Sequence, residues 1–531
     1  MKNITAIGKL FLVLLIFIGL SCKGKLDLLP TNDVTADQVY STMAGYNASF
    51  AKLYGAFALT GNRGPDGSGD VQGIDEGFSD FFRLFWYLQD LTTEEVMVQS
   101  GWNDAGIHDL HSMNWGASNQ MVTGLYYRSM YQVTLVNEFL RQSTDGKIAS
   151  RGFTGSDADN IRQYRNEARY LRAFQYWVLM DLVANPPFVT EANEIGSTDL
   201  PRQTNRAELF NYVESELKAI ESNLGNPRFE WGRADKAAVW ALLARLYLNA
   251  QVYIGTPKYT EAITYSQKVI DAGYSLLPNY QNLFRADNNV NNNEFILAIK
   301  YDGVKTQNWG GSTFLVHCGL GDPMNSAQFG VDGGWSGMRV TKNLPNKFPD
   351  PNGVADKRAQ FFTAGQPIDI TSYPGAWSEG YKVTKFKNVQ TANPSQRGSD
   401  GTQCDDDVPL FRLGEMYLIY AEAVVRGGTG GSTATAVQYI NTLRTRAQAA
   451  TISASNLDLA FIIDERAREL YWEGLRRMDL VRFGQFTTGT YLWPWKGGVS
   501  SGTAVGSYRN IFPIPARDLA ANPNLVQNPG Y

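Results

Sequence analysis

Two neighbouring stretches, residues 235–252 and 260–272, predict a pair of helices that can pack closely together. The first carries small and apolar residues at helical spacing, and the second has an apolar face of its own. The small-residue face consists of Ala237, Ala238, Ala241, Leu242, Ala244, Leu246, Tyr247 and Leu248. Because a short turn joins the two helices, the pair is typical of tetratricopeptide-type hairpins, although the strict consensus is absent. A chain organised around such pairs is expected to be mostly α-helical.

Amphipathic patterns of the same kind recur along the chain. They predict helices over residues 36–58, 121–142, 158–183, 206–223, 410–425, 434–449 and 457–483. The last is the most strongly patterned, with one apolar face and one face dense in Glu, Asp and Arg. Carboxylates interleaved with arginines stay ionised, so this face predicts a structural network with pairs such as Asp464–Arg468 and Glu473–Arg477, rather than catalytic acids. Residues 280–408 are poor in helical pattern and predict a few short strands, one of them at 295–299.

The composition argues against several classes of function. The 531 residues carry a net charge of −4, so no basic surface is available for phosphates and we expect no nucleic-acid partner. The three histidines and three cysteines lack metal-ligand spacing, and Cys318 and Cys404 are too few for a disulfide framework, although a bridge between these two is left open. The sequence also lacks a nucleophile-elbow motif and paired acids in an aromatic cleft, so we predict that the protein is not an enzyme.

The first 22 residues predict an export signal rather than part of the fold. Lys2 and Lys9 precede an apolar run too short to span a bilayer, and Ser21 comes directly before Cys22. This pattern is typical of a bacterial lipoprotein signal peptide over residues 1–21, with Cys22 lipidated as the mature N-terminus. An ordinary secretory signal is the alternative.

A long loop rich in glycine is predicted over residues 302–335, and it contains Trp309 and Trp335. Glycine allows tight turns, and tryptophan offers a large flat apolar face with one N–H donor. Long loops between helical blocks often carry binding groups, so these tryptophans are candidate ligand-stacking residues. Burial of both as ordinary core residues is the alternative.

Several stretches together resemble the SusD/RagB family of Bacteroidetes surface glycan-binding lipoproteins. They are LDLLP (26–30), RNEARYLRAFQYWVLMDL (165–182), GRADKAAVWALLARLYLNA (232–250), VPLFRLGEMYLIYAEAV (408–424), DERARELYWEGLRRMDLVRFG (464–484) and the ending FPIP…NPNLVQNPGY. The resemblance implies a single mature domain, residues 22–531, with four tetratricopeptide-like hairpins and a loop-rich ligand-binding part. In this chain the hairpins would occupy about 35–275 and 408–484, the loop-rich part about 60–118 and 280–407, and an extended tail 485–531.

The same resemblance implies a function. It predicts a protein without catalytic activity at the outer-membrane surface, held by its lipid anchor, which captures glycan and passes it to a TonB-dependent transporter of the SusC type. The segments TGNRGPDGSGDVQGIDEG, DGVKTQNWGGSTFLV and TTGTYLWPWKGG resemble those of the starch-binding member of the family in particular. Starch or malto-oligosaccharide, an α-glucan, is therefore the expected ligand. A branched or β-linked glycan on the same scaffold is the alternative.

The resemblance to the starch-binding member also implies which residues of this chain bind the glycan. Trp309 and Trp335 correspond to two of three aromatic residues that follow the curve of an α-glucan, and Arg83 corresponds to an arginine that hydrogen-bonds sugar hydroxyls. Trp102 and Asn103 are placed by type and neighbourhood as the third aromatic residue and an asparagine. A pyranose ring has a flat C–H face that suits stacking and a rim of hydroxyls that suits planar donors such as Arg83, which can bridge two of them.

The family member that binds starch also has a calcium ion near the segment that matches residues 287–293. Here the acidic residues in and after this segment are reduced to Asp287 and Glu294. Calcium prefers clustered carboxylate oxygens, so Asp287 is the candidate ligand of an optional calcium ion. No cofactor is predicted to be required.

Overall fold

The computed structural model of the chain describes residues 35–62, 64–65 and 69–531. The predictions for the signal peptide 1–21 and for lipidation of Cys22 lie outside the described residues.

The described part of the chain contains seventeen α-helices, which confirms the prediction of a mostly helical fold. They are α1 Ala36–Val39, α2 Met43–Ala58, α3 Phe81–Trp86, α4 Ile107–His111, α5 Gln120–Gln142, α6 Asp145–Ser150, α7 Gly155–Leu182, α8 Arg206–Ile220, α9 Lys236–Leu248, α10 Ala250–Ile254, α11 Tyr259–Ile270, α12 Gly311–Cys318, α13 Leu413–Val425, α14 Thr433–Arg446, α15 Leu459–Leu470, α16 Arg476–Arg482 and α17 Ala516–Ala521. Side-chain caps start several of them; Asp235, for example, accepts a hydrogen bond from the backbone N–H of Ala238 at the start of α9.

Successive long helices pack on one another. Helix α5 contacts α7, α7 contacts α8, α9 contacts α11, α11 contacts α13, and α13 contacts α14. The small residues of α9, such as Ala237 and Ala241, are fully buried, which lets neighbouring helices approach closely. This is the packing that the small-residue face of the sequence predicts.

Among the described residues, six short strands form three two-stranded antiparallel sheets. They are β1 Met97–Val98, β2 Phe295–Ile299, β3 Met338–Arg339, β4 Phe361–Phe362, β5 Lys382–Val383 and β6 Val408–Arg412. Strand β1 pairs with β3, β2 with β6, and β4 with β5. The strand predicted at residues 295–299 is confirmed as β2, and all five of its residues are buried.

The most strongly patterned helix is broken into two, so the prediction of a continuous helix over 457–483 is wrong. Between α15 and α16, Trp472 and Gly474 adopt positive φ angles of 63° and 77°. Carboxylates far away in the sequence take the freed backbone donors: Glu95 accepts from the N–H of Trp472 and Asp90 from the N–H of Gly474. Tertiary contacts therefore replace the local helical hydrogen bonds at this break.

The charged face of this region forms a buried ion-pair network, as the sequence predicts. Its carboxylates are Glu294, Glu465, Glu469 and Glu473, and its cations are Arg358, Lys385, Arg412, Arg444, Arg446 and Arg468. The side chains of Glu465 and Glu469 are fully buried. Such groups are stable in the interior only because each charge has partners.

The individual pairs predicted within the helix are wrong. Asp464 pairs with Lys347 at 2.6 Å, and Glu473 pairs with Arg412 at 2.7 Å. Arg477 instead reaches Asp181, at 3.1 Å. The helical spacing shows which charges share a face, but the partners come from other parts of the fold.

Cys318 and Cys404 are both free and buried, so the bridge left open between them is absent. None of the helices in the described part of the chain combines the length and the apolar character needed to cross a membrane.

Candidate functional site

Three tryptophans converge at one place in the loop-rich part of the fold. The ring centroids of Trp102 and Trp335 lie 6.1 Å apart with planes at 55°, and those of Trp309 and Trp335 lie 6.1 Å apart with planes at 65°. All three side chains are half-buried. Trp335 therefore stands in the middle of a bent row of rings, here called the tryptophan arc (Trp102, Trp335 and Trp309).

The short β1–β3 sheet brings Trp102 and Trp335 together. Trp102 follows β1 and Trp335 precedes β3, and the two strands pair with Val98 opposite Met338. A hydrogen bond of 2.8 Å from the N–H of Gln99 to the carbonyl of Gly337 extends this pairing toward the arc. The Trp102 ring packs directly on Gly337, because a Cβ atom there would lie 2.1 Å from Cζ3 of the indole.

Trp309 is held at the start of a helix that the sequence pattern does not predict. The stretch 302–335, expected to be loop, contains α12, and Trp309 comes two residues before it. The backbone N–H of Gly311 donates to Asp80 at 3.0 Å, and a Cβ atom on Gly310 would lie 2.0 Å from Cβ of Asp80. Only glycine allows this close approach, which anchors the Trp309 segment to the beginning of α3.

Arg83, on α3, lies behind the tryptophan arc and is only 5% exposed. Its Nη1 donates to the carbonyls of Gly77 and Trp309, each at 2.7 Å, and its Nε donates to the Tyr87 hydroxyl at 2.8 Å. Its Nη2 bonds Asp104 at 3.1 Å. Because four of its five N–H groups are used by partners in the described part of the chain, one remains. A bridge from Arg83 to two sugar hydroxyls, as predicted, is therefore not available in this arrangement.

Asp104 connects Arg83 to one end of the arc. The same carboxylate oxygen that pairs with Arg83 accepts the indole N–H of Trp102 at 2.8 Å. Since Arg83 also holds the carbonyl of Trp309, one guanidinium links the two outer tryptophans. The guanidinium carbon lies 5.8 Å from the ring centroid of Trp102 and 5.9 Å from that of Trp335, within cation–π range of both.

Asn103, the remaining predicted binding residue, is exposed on the loop beside Trp102. The structure thus gathers Trp102, Asn103, Trp309, Trp335 and Arg83 in one region, with Arg83 beneath the rings.

Three residues that support the arc were not predicted from the sequence. Asp104 lies two residues after Trp102. Its role in linking Trp102 to Arg83 can be seen only when the position of Arg83 in the fold is known. Phe314 and His317 lie one helical turn apart on α12; Phe314 packs 4.7 Å from the Arg83 guanidinium and His317 stacks on Trp335. Helical spacing within 311–318 would have placed these two side chains on one face, had the helix been recognised.

The residues around Asp287 do not fit a calcium ion. Asp287 accepts hydrogen bonds from the N–H and hydroxyl of Thr391, and Glu294 is buried and paired with Arg412 and Arg446. No cluster of three acidic, histidine or cysteine side chains suited to a metal occurs among the described residues. The two acids named from the sequence therefore have separate partners and do not form the clustered oxygen ligands that calcium takes.

Comparisons with known proteins identify the family of this chain. The sequence profile of the SusD family matches residues 358–531. The starch-binding protein SusD of Bacteroides thetaiotaomicron is 38% identical over 96% of this chain and 96% of that protein. A SusD-like protein of Bacteroides ovatus is 26% identical over 70% of this chain and 67% of its own length.

Solved structures share the architecture. A laminarin-binding SusD-like protein matches with a TM-score of 0.68 and 22% identity, covering 92% of this chain and 99% of that one. Surface glycan-binding protein A from Bacteroides thetaiotaomicron, in complex with laminarihexaose, matches with a TM-score of 0.68 and 20% identity, covering 91% and 98%. At these identities the likeness shows the fold alone. The starch-binding relative and these two structures are named for binding rather than for catalysis, in agreement with the prediction that the protein is not an enzyme. With 38% identity to a SusD protein over 96% of its length, the chain belongs to the SusD family.

Proposed function

We propose that this protein is a cell-surface glycan-binding protein that holds starch or malto-oligosaccharides, an α-glucan, on the tryptophan arc. The observation that carries the proposal is the bent row itself: three half-buried indoles, with Trp335 at 6.1 Å from each neighbour and planes inclined by 55° and 65°. The similarity to a starch-binding protein over 96% of the chain supports the choice of ligand.

The geometry favours a curved chain. Each indole can cover the apolar C–H face of one sugar ring, and removing that surface from water stabilises the complex. Because adjacent rings in the arc are inclined to one another, successive sugars must also turn with respect to one another. An α-1,4-linked glucan curves in this way, whereas a straight chain can lie flat on only one of the three rings.

Polar groups at the rim would fix the orientation of the sugar. Asn103 is exposed beside Trp102 and can both donate to and accept from hydroxyls. Arg83 would contribute one N–H from Nη2, so we propose a single hydrogen bond from it instead of a bridge. Affinity at such an open site is expected to be modest, because hydroxyls exchange water for imperfect partners.

The family resemblance supports a proposal for the cellular role. We propose that residues 22–531 form one mature domain, anchored at the outer-membrane surface through a lipid on Cys22, and that the protein passes glycan to a TonB-dependent transporter of the SusC type. Weak, multi-ring capture suits this role, because the ligand must also be released.

A β-glucan is the second candidate ligand. Two structures with this fold are a laminarin-binding protein and a complex with laminarihexaose. The test is isothermal titration calorimetry of the purified mature chain against maltoheptaose, a cyclodextrin, xylan and laminarin. We expect binding to maltoheptaose and to the cyclodextrin. Binding to laminarin with no heat from maltoheptaose would instead assign the β-glucan.

A small change beneath Trp102 should weaken binding. In Gly337→Ala, the added methyl would overlap the Trp102 ring and displace that end of the arc. We expect the Kd for maltoheptaose to rise by about threefold to tenfold. This corresponds to the loss of one aromatic contact, which contributes about 0.5–1.5 kcal/mol. Gly333→Ala is the matched control, because its added Cβ has no atom within 4 Å. Equal affinities for the two variants would argue against a role of Trp102 in binding.

A further inference from the structure

We propose that His317 is the positioning residue of the tryptophan arc and sets the angle at which the central ring, Trp335, meets a sugar. This inference rests on the proposed function. The His317 and Trp335 ring centroids lie 4.9 Å apart with planes at 16°, so the two rings are stacked. The other aromatic neighbours, Trp102, Trp309 and Phe314, meet the same indole at 45° to 65°.

A stacked neighbour covers one face of a ring. The imidazole is itself buried, only 3% exposed, whereas Trp335 is half-buried. His317 therefore lies on the protein side of Trp335, and the opposite indole face is the one left for a ligand. The plane of the imidazole defines the plane of the platform.

His317 is well placed to hold this orientation because it is fixed at several points. It lies in α12, and its backbone carbonyl accepts the N–H of Trp335 at 2.9 Å. Its Nε2 lies 2.8 Å from the carbonyl of Thr402. Since a carbonyl only accepts, Nε2 carries the proton and donates it. Rotation of the imidazole about the Cβ–Cγ bond of His317 would break this hydrogen bond.

The charge state of His317 agrees with a stacking role. Burial lowers the pKa of the His317 imidazole, because the charged form would lose its hydration, while the carbonyl of Thr402 and the charge of Asp332 act in the opposite direction. The ring is therefore neutral at pH 7. A neutral imidazole can lie flat against an indole without a buried charge.

A rigid curved ligand should depend most on this angle. In His317→Ala the support under Trp335 is lost and the indole can tilt into the space left behind. A flexible linear oligosaccharide can adapt to a tilted ring, but a cyclodextrin has a fixed curvature and cannot. The ratio of the cyclodextrin affinity to the maltoheptaose affinity therefore reports the angle of the Trp335 ring. A general loss of stability would lower both affinities together and leave this ratio unchanged.

The experiment measures Kd for a cyclodextrin and for maltoheptaose by calorimetry, in the wild type, His317→Ala, His317→Phe and Cys318→Ala. We expect His317→Ala to raise the Kd about tenfold for the cyclodextrin and about threefold or less for maltoheptaose. Both changes lie within the range of one aromatic contact. His317→Phe keeps a flat ring without the hydrogen bond and should restore most of the cyclodextrin affinity. Cys318→Ala changes the adjacent buried residue of α12 and should bind as the wild type does.

Equal losses for both ligands, or no loss in His317→Ala, would overturn the inference. If the wild type itself binds neither ligand, the proposed function fails instead, and the crystal structure of His317→Ala then decides the question of positioning. A tilted or multiply placed Trp335 ring would support the role of His317, and an unmoved ring would refute it.

Discussion

Trp335→Ala is expected to abolish measurable binding of maltoheptaose. Trp335 is the ring that contacts both other members of the tryptophan arc, so its loss separates Trp102 from Trp309 as well as removing one platform. An indole face that covers about 100 Å² of sugar surface contributes about 2.5 kcal/mol, which is about a 70-fold change in Kd. For a ligand of modest affinity, such a loss puts binding beyond the range of calorimetry.

The control for this variant is another half-buried tryptophan away from the arc. Trp240 lies on α9, where its indole N–H donates to Glu221. Trp240→Ala should lose a comparable side chain and keep the wild-type Kd, and both variants should retain the wild-type far-ultraviolet circular dichroism. Unchanged affinity in Trp335→Ala would show that the binding platform is elsewhere.

The outer rings should matter less than the central one. Trp309→Ala and Trp102→Ala each leave two adjacent indoles in place, so each should raise Kd by less than Trp335→Ala does. The ordering of the three variants is therefore as informative as their magnitudes.

Arg412→Ala is expected to give the largest loss of stability. Arg412 pairs with Glu294 at 3.1 Å and with Glu469 and Glu473 at 2.7 Å, and the side chains of all four residues are buried. Removing the arginine leaves these buried carboxylates with fewer cationic partners, and burial keeps water from replacing the lost partner. The free energy of unfolding should fall by about 3–5 kcal/mol, measured by urea denaturation followed by circular dichroism.

The loss should depend on pH. Burial alone would raise the pKa of Glu469, but Arg446, Arg412 and Arg358 lower it to about 2. A carboxyl with a lowered pKa in the fold contributes stability that is present above its unfolded value of 4.5 and lost as pH falls toward 2. Without Arg412 this contribution to stability is smaller. The difference in the free energy of unfolding between Arg412→Ala and the wild type should therefore be larger at pH 7.5 than at pH 4.

An exposed ion pair provides the comparison. Arg202 and Glu208 lie 3.1 Å apart with side chains 65% and 50% exposed. Arg202→Ala should cost less than about 1 kcal/mol, as surface pairs generally do. If Arg412→Ala were equally mild, the buried network would contribute little to stability.

Sequence patterns alone determined the helical character of this protein. Small and apolar residues at helical spacing, as in α9, indicate a local preference for helix. The fold keeps this helix because burial of the same face stabilises it. The charge density of residues 464–482 likewise indicated an ion-pair network. The partners, however, came from elsewhere: Arg412, which pairs with Glu473, lies 61 residues away in the sequence.

Only the tertiary structure decided where these patterns stop and what the binding residues do together. The break between α15 and α16 depends on Asp90 and Glu95, more than 370 residues earlier, which no local pattern can report. Trp102 and Trp335 meet because two strands of two residues pair, and such strands are too short to show a periodicity. The sequence resemblance named Arg83 as a donor to sugar, and only the tertiary structure shows that its long-range hydrogen bonds to Trp309 and Asp104 place it beneath the arc. Helices follow from contacts between near neighbours in the chain, whereas the arc depends on contacts between distant residues that exist only once the chain has folded.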